Sequence, residues 1–224
     1  MNVLADKITR DYFRQTKESN VFTALKETEL MLTPGKMTAV MGRSGSGKST
    51  LLHIMAGLLF PTSGRVTYDE TDIYSLDDEA LSRFRNEHIG VIPQIHTGLH
   101  SLNVRENVML PYSMYNKKCP DGRAEELMER VGISHLSEAY PDELSGGEMR
   151  RLSIARALIR SPQVLFADEP TGDLDDENTG RVMALLREAA DGGTAVMLVT
   201  HESEAAGYAD ELYRMDGGIL QKNE

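Results

Sequence analysis

The sequence predicts an α/β fold with a mostly parallel sheet, an antiparallel β margin and an inserted helical block. Three observations predict it. Short apolar runs alternate with stretches of helical period. Four of those runs, Met37–Met41, Ile89–Ile92, residues 164–167 and residues 195–199, are unbroken, as in strands buried on both faces. A glycine-rich loop separates the first run from a helical pattern. With 224 residues, 40% of them apolar, the chain suits one large domain or two small ones with a real core.

The elements follow in chain order. Residues 1–35 mix polar and apolar positions with weak alternation, and with residues 64–68 they suit antiparallel strands at the sheet margin. Met37–Met41 is a core strand. Residues 48–59 form a helix with Leu51, Leu52, Met55 and Leu58 on one face. Asp77-Asp78-Glu79 is a solvated helix start, and Ile89–Ile92 is the second core strand. Residues 95–160 hold helical patterns and no good core strand, so they form a helical subdomain inserted in a core of residues 1–94 and 161–224. One of its helices spans residues 121–131, with Asp121 placed to cap it. Residues 164–167 and 195–199 complete the core strands. Asp216-Gly217, between apolar residues 212–215 and 219–221, signals a hairpin.

Composition narrows the function. Lys and Arg number 24 against 35 Asp and Glu, a net charge of −11, which argues against general nucleic-acid binding. One cysteine, Cys119, allows no intrachain disulfide and favours a reducing compartment. No apolar run approaches the roughly 20 residues of a membrane span. Residues 1–10 carry scattered charges and no apolar core, unlike a signal peptide. The expectation is a cytosolic chain whose membrane connection, if it has one, comes through a partner. His88, His96 and His100 lack metal-ligand spacing.

The chemistry starts at Gly42-Arg43-Ser44-Gly45-Ser46-Gly47-Lys48-Ser49-Thr50, which fits G-x-x-x-x-G-K-[ST]. Glycines let such a loop fold until successive backbone N–H groups face one anion, and the helix N-terminus adds its positive end. Lys48 can reach the β- and γ-phosphates of a nucleotide, Ser49 can ligate Mg²⁺, and Thr50 can touch an inner phosphate. In this P-loop NTPase core a second strand must bring a carboxylate near the metal. Asp168, at the end of the third apolar run, suits that role, and Glu169 can orient or deprotonate the attacking water.

Leu144-Ser145-Gly146-Gly147-Glu148 precedes an arginine-rich helical stretch and lies between the phosphate loop and Asp168-Glu169. This resembles the signature of the ATP-binding cassette (ABC) ATPases, with the motifs in that family's order over nearly the whole chain. The resemblance implies further roles. Gln94 matches the loop glutamine that contacts Mg²⁺ and the water and links core to helical subdomain. Asp173-Leu174-Asp175 matches the loop that crosses to the other subunit, with Asp175 its principal acid. His201 matches the switch histidine near the γ-phosphate. Tyr12 is the best match for the aromatic that stacks on adenine, with Phe13 its competitor. Glu148 stands where Gln is frequent and is expected to turn toward its own helix N-terminus. Thr171-Gly172-Asp173-Leu174-Asp175 is similar to the lipoprotein-releasing, macrolide-export and antimicrobial-peptide-export ATPases.

The resemblance implies a head-to-tail dimer, each ATP held between one subunit's phosphate loop and the other's Ser145-Gly146-Gly147. It implies an ATPase subunit that powers a separate integral membrane permease, with export as the expected direction and a place on the inner face of the membrane. The alternative is a soluble cassette ATPase doing assembly, cell-division or signalling work without transport.

Overall fold

The structure, a computed structural model, describes residues 1–13, 21–95, 98–172 and 174–223. Two sheets enclose a helix. In the first, β1 (Val3–Phe13) lies between β2 (Val21–Leu32) and β4 (Ser63–Tyr68), both antiparallel to it, and the short β5 (Thr71–Asp72) continues the edge. This is the expected antiparallel margin.

The second sheet carries six strands in the order β10 (Ile219–Lys222), β9 (Glu211–Asp216), β3 (Met37–Met41), β8 (Ala195–Thr200), β7 (Val164–Asp168) and β6 (Ile89–Ile92). All neighbours are parallel except β9 and β10. The period of two sorts its side chains. Val164, Phe166, Met197 and Val199 meet α1 (Lys48–Met55) and the antiparallel sheet, while Leu165, Ala167, Val196 and Leu198 join the opposite core. That core is covered by α3 (Val104–Ser113), α4 (Arg123–Arg130), α5 (Gly146–Leu158) and α6 (Asp176–Asp191). Both faces are buried, so the core strands are apolar at nearly every position, with Thr38, Asp168 and Thr200 the buried polar residues. Two further helices, α2 (Asp78–His88) and the one-turn α7 (Ser203–Ala206), complete the set, and Asp77 caps α2 by accepting from the Ala80 N–H at 2.8 Å. Between β6 and β7 the described residues form helices and 3₁₀ turns and no strand.

Two helix boundaries differ from expectation. α1 ends at Met55 because Gly57 turns left-handed, at φ 69°, and leads the chain out of the helix. Leu58 therefore leaves the apolar face and is 51% exposed. The freed carbonyls of α1 find distant donors: Tyr74 Oη donates to Ile54 O, Tyr68 Oη to Met55 O and Arg85 to Gly57 O. In α4, Asp121 is no cap. Gly122, at φ 77°, takes the cap position without a side-chain bond, and Asp121 pairs instead with Lys118 at 3.1 Å.

Among the described residues no helix is long and apolar enough to cross a membrane, and no group of three or more acidic, histidine or cysteine side chains is placed to hold a metal. Cys119 is buried and its thiol is pushed up by that burial.

Candidate nucleotide site

The phosphate loop joins the carboxyl end of β3 to the start of α1. Two of its glycines are demanded by backbone approaches. A Cβ on Gly42 would lie 2.3 Å from the Met215 carbonyl oxygen, and one on Gly47, at φ 109°, would lie 2.5 Å from the Ala24 carbonyl oxygen. Gly45, at φ 77°, faces open space. Lys48 is buried, and its ammonium donates to the carbonyls of Gly42 and Arg43 at 2.9 and 3.1 Å. The lysine thus spans the loop, its charge held beside the first-turn N–H groups of α1, which have no partner within the helix. This arrangement suits a polyphosphate.

Asp168 ends β7 and is 1% exposed. Burial raises its pKa, opposed chiefly by a hydrogen bond with Ser49. Its Oδ1 is buried without a hydrogen-bond partner. A buried, unsatisfied carboxylate oxygen next to the Ser49 hydroxyl is a donor set for a hard divalent cation.

Glu169 follows with its backbone in the left-handed region, at φ 50°. Its N–H donates to Val199 O at 2.8 Å, and its Oε2 lies 2.9 Å from His201 Nδ1. The bond and the charge of Glu169 raise the His201 pKa. The Glu169 carbonyl accepts from Arg150 of α5. Beside it, Thr171 donates to Glu202 at 2.5 Å, tying the turn after Glu169 to the residue after His201. Lys48, Asp168, Glu169 and His201 thus converge where parallel strands end, the usual crevice for ligands in an open α/β sheet.

The remaining expected residues lie around this centre. Gln94 is exposed, two residues past β6. Ser145 caps α5 in a capping box: its N–H and hydroxyl donate to Glu148 at 2.8 and 2.7 Å, and these bonds lower the Glu148 pKa. Glu148 turns toward its helix N-terminus as expected. A Cβ on Gly146 would meet nothing within 4 Å, so its backbone stays open to an approaching molecule. Asp175 is exposed and caps α6 by accepting from the Asn178 N–H at 2.8 Å, which lowers its pKa. Asp173 and His96 lie outside the described residues.

Tyr12 and Phe13 both line a cleft of about 480 Å³ that runs down to Lys48 and Thr50. Arg10 lies over the Tyr12 ring, 4.7 Å from its centroid, and donates to Phe60 O. Two contributors escaped the sequence reading. Phe22, paired with Tyr12 across β1 and β2, lines the same cleft. The terminal hairpin braces the phosphate loop: Gly218 N–H donates to Ser46 O at 2.9 Å, and Lys26 N–H donates to Gly218 O at 2.9 Å. The Asp-Gly signal announces a turn, but nothing local says what the turn leans on.

Residues 25–172 match the family model described as ABC transporter. The lipoprotein-releasing system ATP-binding protein LolD of Colwellia psychrerythraea is 37% identical over 218 residues, covering 96% of this chain and 83% of that protein. The macrolide export ATP-binding/permease protein MacB of Shigella flexneri is 42% identical over 201 residues, covering 89% of this chain and 31% of that longer protein. Among solved structures, the dimeric post-hydrolysis state of the ATP-binding cassette MJ0796 bound to ADP and Pi matches with a TM-score of 0.90 and 31% identity, covering 98% of both chains.

Proposed function

The chain belongs to the ABC transporter family as an ATP-binding, ATP-hydrolysing cassette, and from that premise we propose that it powers a separate membrane permease in an export system, working as one of a head-to-tail pair. The convergence of Lys48, Asp168, Glu169 and His201 at the strand ends carries the chemistry. The similarity to LolD and MacB supports the exporting class, and the dimeric MJ0796 cassettes support pairing with a second copy.

Each residue takes a role that fits its position. Tyr12 stacks on the base, with Phe13 and Phe22 closing the cleft. Loop residues Gly42, Arg43, Ser44, Gly45, Ser46 and Gly47 wrap the phosphates, while Lys48 exchanges its loop carbonyls for phosphate oxygens and Thr50 touches an inner phosphate. Ser49, Asp168 and Gln94 would hold Mg²⁺, which would offset phosphate charge; the unpartnered Asp168 Oδ1 supports this. Glu169 accepts a proton from the attacking water, and His201 orients that carboxylate and meets the γ-phosphate. Ser145, Gly146 and Gly147 of one chain close over the other's nucleotide, with Asp175 at the same crossing. Residues 95–160 swing as a helical subdomain about Gln94. Exposed Ile95 and Leu99, 79% and 47% accessible, receive a helix of the permease, which keeps the chain at the cytoplasmic face of the membrane.

The test is purification of the tagged full chain from membranes of its own cell in mild detergent. A stoichiometric integral membrane protein is expected. Recovery with soluble partners alone would replace transport with assembly, cell-division or signalling work while leaving the ATPase chemistry standing.

A further inference from the structure

We propose that Arg150 is a positioning residue for hydrolysis, through which α5, the helix that opens with Ser145-Gly146-Gly147, holds the Glu169 carboxylate in its working orientation. The inference rests on the reading of Glu169 as the base.

A non-glycine residue at φ 50° costs about 1–2 kcal/mol and persists only where its surroundings hold it. Three anchors hold Glu169. Its N–H is bonded to Val199 and its carboxylate to His201, both from β8 and the residue just past it. The third anchor is different in origin. Arg150 lies on α5, is 3% exposed, and donates to the Glu169 carbonyl. Its guanidinium also lies 3.3 Å from where a Cβ of Gly172 would stand, so it sits against the far end of the same turn. That turn is closed by Gly172 N–H donating to the same carbonyl at 3.3 Å.

The bond to its carbonyl helps pin the Glu169 backbone at positive φ, so releasing it lets that strained backbone relax and shifts the Cα that carries the carboxylate relative to His201 and to the attacking water. Arg150 lies about one helical turn, or about 6 Å, beyond Gly146, so a tilt of α5 reaches its guanidinium directly. Arg150 acts on hydrolysis through the Glu169 carbonyl and the turn that ends at Gly172.

The test is a double-mutant cycle on the purified full chain, with phosphate release and equilibrium ATP titration as readouts. R150M keeps apolar bulk and removes the donor. It is expected to lower kcat by about tenfold or more while ATP affinity stays within about twofold. R150K keeps a cationic donor and is expected to restore part of that loss. On the E169Q background, R150M is expected to lower the residual rate by less than about twofold, because the group it positions is already gone. A merely structural arginine would multiply its loss on both backgrounds. Multiplied losses, ATP affinity falling in step with kcat, or wild-type turnover in R150M would each overturn the proposal. Were R150M not to fold, the same cycle with R150K decides it by the same criterion. Wild-type turnover in E169Q alone would instead remove the base itself, a different result from a silent E169Q beside a normal R150M.

Discussion

Gly218→Ala is expected to weaken ATP binding from a position outside every nucleotide motif. Gly218 stands at φ 78°, and an added Cβ would lie 3.0 Å from the Ala24 carbonyl oxygen and 3.3 Å from both Ala24 C and Lys26 N. All three are backbone atoms and yield only by moving the strand. The Ala24 carbonyl is confined on its far side too, since it lies 2.5 Å from where a Gly47 Cβ would stand. Pushing it by a few tenths of an ångström therefore presses on the phosphate loop at the start of α1. The same substitution strains the Gly218 N–H bond to Ser46 O. Charge-assisted bonds to a phosphate contribute about 1.5–3 kcal/mol each, and losing about half of one corresponds to about three- to tenfold in Kd. Gly217→Ala is the control. Gly217 is also left-handed, at φ 53°, but its Cβ would meet nothing within 4 Å. Both variants are expected to lose about 1 kcal/mol of stability from the positive φ, a fall of about 2–4 °C in Tm. Only Gly218→Ala should also raise the ATP Kd, by about three- to tenfold, measured by equilibrium titration. Equal ATP affinities in the two variants would refute the brace.

Three further outcomes are expected. Lys48→Ala leaves the loop carbonyls of Gly42 and Arg43 without their ammonium and should weaken ATP binding by about tenfold or more; unchanged binding would undo the cradle. His201 should titrate above its ordinary value by NMR, and Glu169→Gln should return it downward, since the bond to Glu169 and its charge are the causes. The sign is that of a raised histidine: the pair's contribution to stability is complete below the unfolded pKa and is lost as pH rises through the folded one. Asn107→Ala should lower Tm by about 5–10 °C without changing ATP affinity, since it removes the amide that accepts from the Leu99 N–H and whose two N–H groups are shared among the carbonyls of Leu99, Leu102 and Asn103. A normal melting curve would show that water replaces them.

Much of this molecule is legible locally. Unbroken apolar runs announce strands buried on both faces, and the parallel sheet delivers them. The phosphate loop is legible because its chemistry needs glycine, lysine and hydroxyl at fixed short spacing. The hairpin is legible from Asp216-Gly217, although Asp216 still belongs to β9 and the two turn residues, both at positive φ, are Gly217 and Gly218. Boundaries were less so. Leu58 continues the helical period yet lies beyond the Gly57 turn, and Asp121 looks like a cap beside a glycine that takes the position. Both misreadings have one cause: a glycine's left-handed conformation outranks side-chain pattern at a helix end.

The strands, the loop and the kinds of group that meet a nucleotide are each encoded within a few neighbouring residues. Packing between distant elements is what brings Phe22 to the cleft with Tyr12, Arg150 to the carbonyl of Glu169 and Gly218 to Ser46. Those partners stand 10, 19 and 172 residues apart in the chain. They are joined by strand register, helix packing and a hairpin returning to the loop, and backbone carbonyls, identical at every residue, leave no mark in a sequence to say which arginine or glycine will reach them.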